Sequence, residues 1–333
     1  MGPALVKDFP QIEAFVRTQK WAEVVVKKGN EIIQDRDLAW ADSTFFKVFT
    51  FQMVHGNPAT ALSQPKSVVI DETTAKKYFN STNVLGKTLM MNNTDLVKVT
   101  GVIKDMPRQS HFHFHFIRPF VDFPYRNPEE WLSNNNQTYV LVKPGVTKEM
   151  LQRNVNTLVN TYLSKQLENL FKSNIKDLEK QGNYFRYPAM PLTDIHLKSN
   201  KSYELEPNGD MSYVYIFSVI AGFILLIACV NFMNLSTARS ANRAKEVGIR
   251  KVSGSLRSHL IFQFLVESVL VTVFSMLVAL GIAVLILPFF NQLAGKEMPA
   301  ASLFSSWFLP VLVVLVLLDR KSTRLNSSHP YRS

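Results

Sequence analysis

The stretch Val214–Val230 (VYIFSVIAGFILLIACV) holds no charged side chain, and its apolar character extends from Tyr213 to Leu235. Those 23 residues reach about 34 Å as an α-helix, which matches a bilayer hydrocarbon core of roughly 30 Å. Lipid offers no partner to a free N–H or C=O, so such a run must become a helix that satisfies its own backbone. A second apolar run, Leu260–Leu287, carries one acid, Glu267, near its start and is followed by Pro288. A third, Leu303–Leu318, has only 16 residues, about 24 Å of helix, with Pro310 inside it. It reads as a truncated span. Residues 1–212 differ in kind: they are charged, rich in Asn and turn residues, and long enough to bury a core of their own.

Charge gives the spans a direction. Arg239–His259 (RSANRAKEVGIRKVSGSLRSH) carries six Lys or Arg against the single acid Glu246, whereas residues 288–302 hold one basic residue, Lys296. By the positive-inside rule residues 236–259 form a cytoplasmic loop between spans 213–235 and 260–287. Residues 288–302 then lie outside, and 303–318 head back in. The chain is expected to be multi-pass with residues 1–212 extracytoplasmic, carried across behind a signal or span that precedes them. Residues 319–333 read as a non-native tail and are assigned no function.

The net charge of +11 has its densest cluster beside the membrane, where topology and anionic lipid account for it better than nucleic acid does. The single cysteine, Cys229, lies in the first apolar run, so an intramolecular disulfide is excluded.

In the soluble half, apolar spacing predicts a helix over Leu5–Val16 and a strand over Trp21–Val26. Residues 37–105 read as mostly β (FFKVFTFQMV, KSVVI, TLMM, LVKVTGVI), interrupted by a short helix Glu72–Phe79. Thr138–Val142 is a further strand. Thr147 caps a long amphipathic helix to about Phe171, with Met150, Leu151, Val155, Leu158, Val159, Tyr162 and Leu163 on one face. Phe185–Met190 returns as a strand. The expected fold is therefore α+β: a split α/β extracytoplasmic domain with a β-rich insertion, joined to an α-helical transmembrane domain.

Three local signals compete with this reading. Leu85–Thr88 (LGKT) looks like part of a phosphate loop, but Ser81 stands where that motif needs its first glycine, and a turn into a strand is the better account. In SHFHFHF, His111, His113 and His115 would share one face of a strand, a candidate metal face set against a half-buried strand with Phe inward. Same-face neighbours on a strand sit about 6.6 Å apart, too far for a three-histidine site without bent backbone. Glu267 is a candidate intramembrane polar residue, read as structural. No nucleophile elbow, zinc motif or dinucleotide fingerprint is present, so no catalytic residue and no cofactor is expected.

The stretch ANRAKEVGIRKVSGSLRSHLIFQFLVES closely resembles the signature of FtsX-like permeases of the MacB type of ABC transporter. Lys245-Glu246-Val247-Gly248-Ile249-Arg250-Lys251-Val252 and Gln263–Ser268 stand in the signature's places. Ser253-Gly254-Ser255 replaces a common Leu/Met-Gly-Ala. FFKVFTF, TAKKYF, LGKTL, TGVIKDMP and PLTDIHL are similar to the MacB-type periplasmic core domain.

The resemblance implies a non-enzymatic permease subunit of the bacterial inner membrane. Such a subunit passes force between a cytoplasmic ABC ATPase on a separate chain and an extracytoplasmic domain, works as a homodimer or paired permease, and allows a periplasmic adaptor. On that reading the ATPase-coupling residues are Arg243, Lys245, Glu246, Val247, Gly248, Ile249, Arg250, Lys251, Val252 and Gly254. The apolar members enter a groove of the partner, and the basic ones meet acidic rims or phospholipid. The competing class is a transmembrane sensor with an extracytoplasmic ligand-binding domain. A return span directly after the loop speaks against it.

Overall fold

The structure is a computed structural model. It describes residues 1–301 apart from 126–130, 133–134, 173–176, 178–179, 181, 183, 185, 202, 255–256 and 295–297. Residues 303–318 and 319–333, read from the sequence as a truncated span and a tail, lie outside the described residues.

The chain divides into two compact units, the first being Met1–Val219. Its organiser is the 17-residue strand β1 (Ile12–Lys28), which pairs with different neighbours along its length within one eight-stranded sheet. Its first half pairs antiparallel with β8 (Gln137–Val142), from Ile12 opposite Val142 to Thr18 opposite Gln137. Its second half pairs with β2 (Glu31–Ala41) in a hairpin whose turn uses Gly29 at φ +60, a left-handed conformation that costs a glycine nothing.

From β2 the sheet continues through β7 (Phe116–Pro119), β4 (Ser67–Asp71), β6 (Asp95–Ile103) and β5 (Thr88–Met91). It returns to β1 where Val26 meets Met91. These strands close a small barrel of mixed sense, with β2–β7 and β4–β6 parallel. The short strand β3 (Met53–Gly56) is added to β6. Closure removes the long unpaired edges that an open sheet would present.

Alternation fills the barrel. Val24 and Val26, Leu38 and Trp40, Val68 and Ile70, Leu89 and Met91, and Val97 and Val99 are buried in one cluster, each pair two residues apart on its strand. The opposite face of β2, β4 and β7 offers Ala39, Ala41, Val69 and Ile117 to a second cluster dominated by phenylalanine. Strand β4 is buried at every residue because it has core on both faces. Arg118 on β7, only 4% exposed, donates to Asp95 at 2.7 Å and to Asp122 at 3.2 Å.

The chain ends supply the third cluster. Helix α1 (Gly2–Asp8) packs Leu5 beside Ile12, Val155, Leu158, Leu163 and Leu167. Thr147 accepts from the Met150 N–H at 3.3 Å and starts helix α4 (Lys148–Leu158). A π-turn, Val159–Leu163, leads into α5 (Ser164–Phe171), so the long amphipathic helix is present with a bulge at its middle. The split arrangement is thus α/β ends that share β1 with a β-rich middle.

Helix α2 (Phe45–Val48) and helix α3 (Glu72–Phe79) complete the early elements, α3 being capped by Asp71 accepting from Thr74 N at 2.8 Å. Three local expectations fail. The helix predicted over Leu5–Val16 stops at Asp8, because Pro10 disfavours helical backbone at Phe9, and Ile12–Val16 joins β1. The stretch FFKVFTF opens as a helical turn after the Asp42-Ser43-Thr44 bend, which folds Phe45, Phe46 and Phe49 into one cluster. In the third, Phe185 lies outside the described residues, and 186–190 form no strand. Pro188 has no N–H to give, and the backbone finds a side chain instead. Gln152 donates to Tyr187 O at 3.1 Å and accepts from Ala189 N at 2.7 Å.

After the short helix α6 (Ile195–Lys198), Asp210 accepts from Ser212 N at 2.7 Å and opens helix α7, Met211–Val252, 42 residues long. Helix α8, Arg257–Ala294, has 38 residues and contains Pro288, which the sequence reading had placed at the end of a span. Met211–Leu235 and Val269–Leu293 are each long and apolar enough to cross a membrane, with mean hydropathy 2.6 and 2.9 and no part buried within the chain.

Candidate functional site

The basic segment singled out in the sequence is helical for most of its length. Residues 239–252 continue α7 without a break, so the backbone at Arg243, Lys245, Glu246 and Lys251 is helix, and their side chains lie outside the described ones. The helix ends where Ser253 N donates to Ile249 O at 3.1 Å and Gly254 adopts φ +84, a glycine stop. Beyond it α8 begins at Arg257. Arg250 Nη1 donates to Gln263 Oε1 at 2.7 Å, a bond that spans the turn and ties the end of one helix to the start of the next.

The apolar residues divide between faces. At about 100° per residue, positions 245, 249 and 252 fall on one stripe, while 247 lies roughly 160° from 249. Ile249 is 62% exposed and Val252 91%, whereas Val247 is half-buried. A Cβ on Gly248 would meet no atom within 4 Å, so nothing among the described residues crowds that side. The segment therefore presents an uncovered stripe of Ile249 and Val252, with Arg250 turned to Gln263. Glu267 lies on α8, two residues ahead of the apolar stretch Val269–Leu293. Sequence reasoning missed Gln263 as a partner of Arg250; its place in the family-like stretch, nearly two turns into the following helix, was the available signal.

Residues 111–115 lead into β7, whose first residue is Phe116, and lie in no strand of their own. Phe112, Phe114 and Phe116 are buried, and the three imidazoles diverge to separate partners. His111 Nε2 lies 2.9 Å from the Tyr139 hydroxyl, His113 Nδ1 2.9 Å from Glu206, and His115 Nδ1 2.6 Å from Asp71. Among the described residues no group of three or more His, Cys, Asp or Glu is placed to hold a metal ion. Leu85–Lys87 form the turn into β5, with Gly86 N donating to Val99 O at 2.8 Å.

The Asp71 carboxylate beside His115 holds the imidazole above its ordinary pKa, outweighing burial, with Asp37 and Asp35 adding to the effect. The unfolded value is about 6.5. The raised folded value means that the contact contributes fully below that pH and is lost as pH rises through the folded pKa. His115→Gln should therefore cost more stability at pH 6 than at pH 9 in thermal melts of the purified chain. An equal cost at both would mean that the ion pair contributes nothing.

The architecture is a β-barrel domain followed by two helices, each with a stretch long and apolar enough to cross a membrane, and a basic segment at the end of the first. Residues 2–158 match the MacB-like periplasmic core domain, and residues 218–318 the C-terminal domain of FtsX-like permeases. The chain belongs to the FtsX-like ABC transporter permeases that carry a MacB-like periplasmic core domain.

Among curated relatives it is 26% identical over 269 residues to the ABC transporter permease YvrN of Bacillus subtilis, covering 78% of this chain and 60% of that one. Against the ABC transporter permease YknZ of the same organism it is 24% identical, covering 64% and 47%. Against the macrolide export ATP-binding/permease protein MacB of Salmonella typhi it is 22% identical, covering 68% and 32%. The chain thus spans about half the length of YknZ and YvrN, 47% and 60%. A domain of a permease protein from Porphyromonas gingivalis aligns with TM-score 0.42 and 22% identity over 49% of this chain and 76% of that one. The periplasmic region of MacB from Actinobacillus actinomycetemcomitans aligns with TM-score 0.34 and 18% identity over 55% and 82%.

Proposed function

We propose that this chain acts as a non-catalytic permease subunit of the bacterial inner membrane. It couples ATP hydrolysis on a separate cytoplasmic ATPase to movement of the extracytoplasmic β-domain. The observation that carries this is the uncovered Ile249–Val252 stripe at the end of an unbroken helix whose earlier part is apolar enough to cross the bilayer. A rigid helix moves as a unit, so a push on its basic end is delivered to its other end without loss in a flexible loop. Apolar residues in the stripe supply affinity for a groove, and the surrounding Lys and Arg supply steering toward acidic rims.

On this reading residues 1–212 lie outside the cell membrane and the basic segment inside. Two such chains pair over two ATPases, anionic lipid borders the basic segment, and a periplasmic adaptor and exported molecules remain matters for the extracytoplasmic domain. The sensor alternative has no comparable support, since the second helix returns directly from the basic turn. The topology is tested by an Ile249→Cys variant with a membrane-impermeant maleimide. Labelling is expected in inside-out vesicles and not on intact cells; labelling of intact cells would reverse the orientation.

A further inference from the structure

The last residues before α7 are fastened to the β-domain by contacts that no sequence motif announces. Leu205, 8% exposed, belongs to the phenylalanine cluster with Phe45, Phe49 and Phe112. The next residue, Glu206, accepts from the His113 backbone N–H at 2.6 Å and lies 2.9 Å from His113 Nδ1. Lys20 on β1 approaches the same carboxylate at 3.7 Å while holding Asp37 at 2.8 Å. Tyr203 O accepts from Gln137 at 2.8 Å, which ties the segment to β8 as well.

Asp37 adds an independent sign that this place is specially built. It stands within β2 at φ 64, a left-handed conformation that non-glycine residues rarely adopt in a strand. The kink lets its carbonyl accept from His115 N at 3.0 Å while its carboxylate meets Lys20. The strained residue thus supports both the lysine that reaches Glu206 and the histidine-bearing stretch that clamps it. Pro207 follows directly, and α7 begins at Met211.

We propose that residues 203–208 are a latch, with Leu205 seated among the phenylalanines and Glu206 clamped by His113 and Lys20. The latch fastens the chain entering the first apolar helix to the β-domain. Its hold is one apolar side chain, one partly exposed carboxylate and one backbone carbonyl bonded to Gln137. It can therefore open without disturbing the barrel, whose strands are paired independently of it. Motion of the helix reaches the β-domain at full stroke while the latch is shut and is taken up as slack when it opens. That use rests on the permease reading; the contact itself does not, and the two can fail separately.

Hydrogen exchange by mass spectrometry on the full chain in lipid nanodiscs tests the latch. With Glu206→Ala, peptides covering residues 199–210 and the peptide bearing His113 should exchange roughly ten- to a hundredfold faster, the range for losing a charge-assisted hydrogen bond. Strands β4 and β6 should keep their wild-type rates. Leu205→Ala should free the same segment, and Glu206→Gln, which can still accept from the His113 N–H, should fall between. Wild-type exchange of 199–210 in both alanine variants would overturn the proposal. So would uniform acceleration that includes β6, since Glu206 would then be a general fold contact and not a latch.

Discussion

Phe112→Ala is expected to remove about 3–5 kcal/mol from the stability of the β-domain, the usual range for truncating a fully buried phenylalanine. Phe112 is 0% exposed and stacks on Phe114 with ring centroids 4.6 Å apart and planes at 9°. It also meets Phe49 edge-on at 5.1 Å and Phe51 at 5.8 Å, so its removal leaves a cavity that rigid rings cannot collapse into. A domain holds about 5–15 kcal/mol in all, so this single change puts folding near its limit. Urea unfolding followed by tryptophan emission measures it, with Leu96→Ala, 53% exposed on β6, as the surface control expected within about 0.5 kcal/mol. A loss below about 1 kcal/mol at Phe112 would mean that the phenylalanine layer is not a packed core.

The second large effect concerns coupling. Replacing Glu246 and Arg250 together by Ala should abolish ATPase-coupled activity while the protein still inserts in the membrane. Truncating one side of a desolvated charge pair at an interface commonly costs about 2–5 kcal/mol, or roughly thirty- to several-thousandfold in affinity. Arg250 has a second occupation, its bond to Gln263, and the two contributions can be separated. Gln263→Ala removes the bridge across the turn and leaves Arg250 in place. If it alone reproduced the loss, Arg250 would act by setting the angle between the helices. If activity survives Gln263→Ala and fails with Arg250→Ala, the guanidinium works on the partner. Val252→Asp, at the most exposed apolar position of the stripe, should uncouple without affecting expression.

Period-2 alternation made the barrel strands legible, since Val68 and Ile70 or Leu89 and Met91 can share a face only in extended chain. Thr147 and the spacing of Val155, Leu158 and Val159 likewise announced the amphipathic helix. Closure of the barrel was not legible, because it depends on Val26 meeting Met91 across 65 residues, and no local pattern encodes that register. Proline explains two of the local misses: Pro10 cut the first helix short, and Pro188 denied the ladder that Phe185–Met190 would need. The candidate site was legible as a charge and motif pattern between apolar runs. Its geometry was not. That α7 runs unbroken to Val252, so that Val247 and Ile249 face apart, is a matter of helical phase, which a list of apolar residues does not convey. The Glu206–His113 contact joins residues 93 apart and left no trace in sequence.

The central claim, that the stripe on the end of α7 seats on an ATPase, is tested most directly by photo-crosslinking. A benzoylphenylalanine placed at position 249 of the full chain, irradiated in native membranes, should yield a discrete adduct identified by mass spectrometry as a nucleotide-binding subunit. The same probe at Tyr125, on the exposed surface of the β-domain, should yield none with that subunit. An adduct at 249 with an extracytoplasmic protein, or lipid adducts alone, would contradict the account.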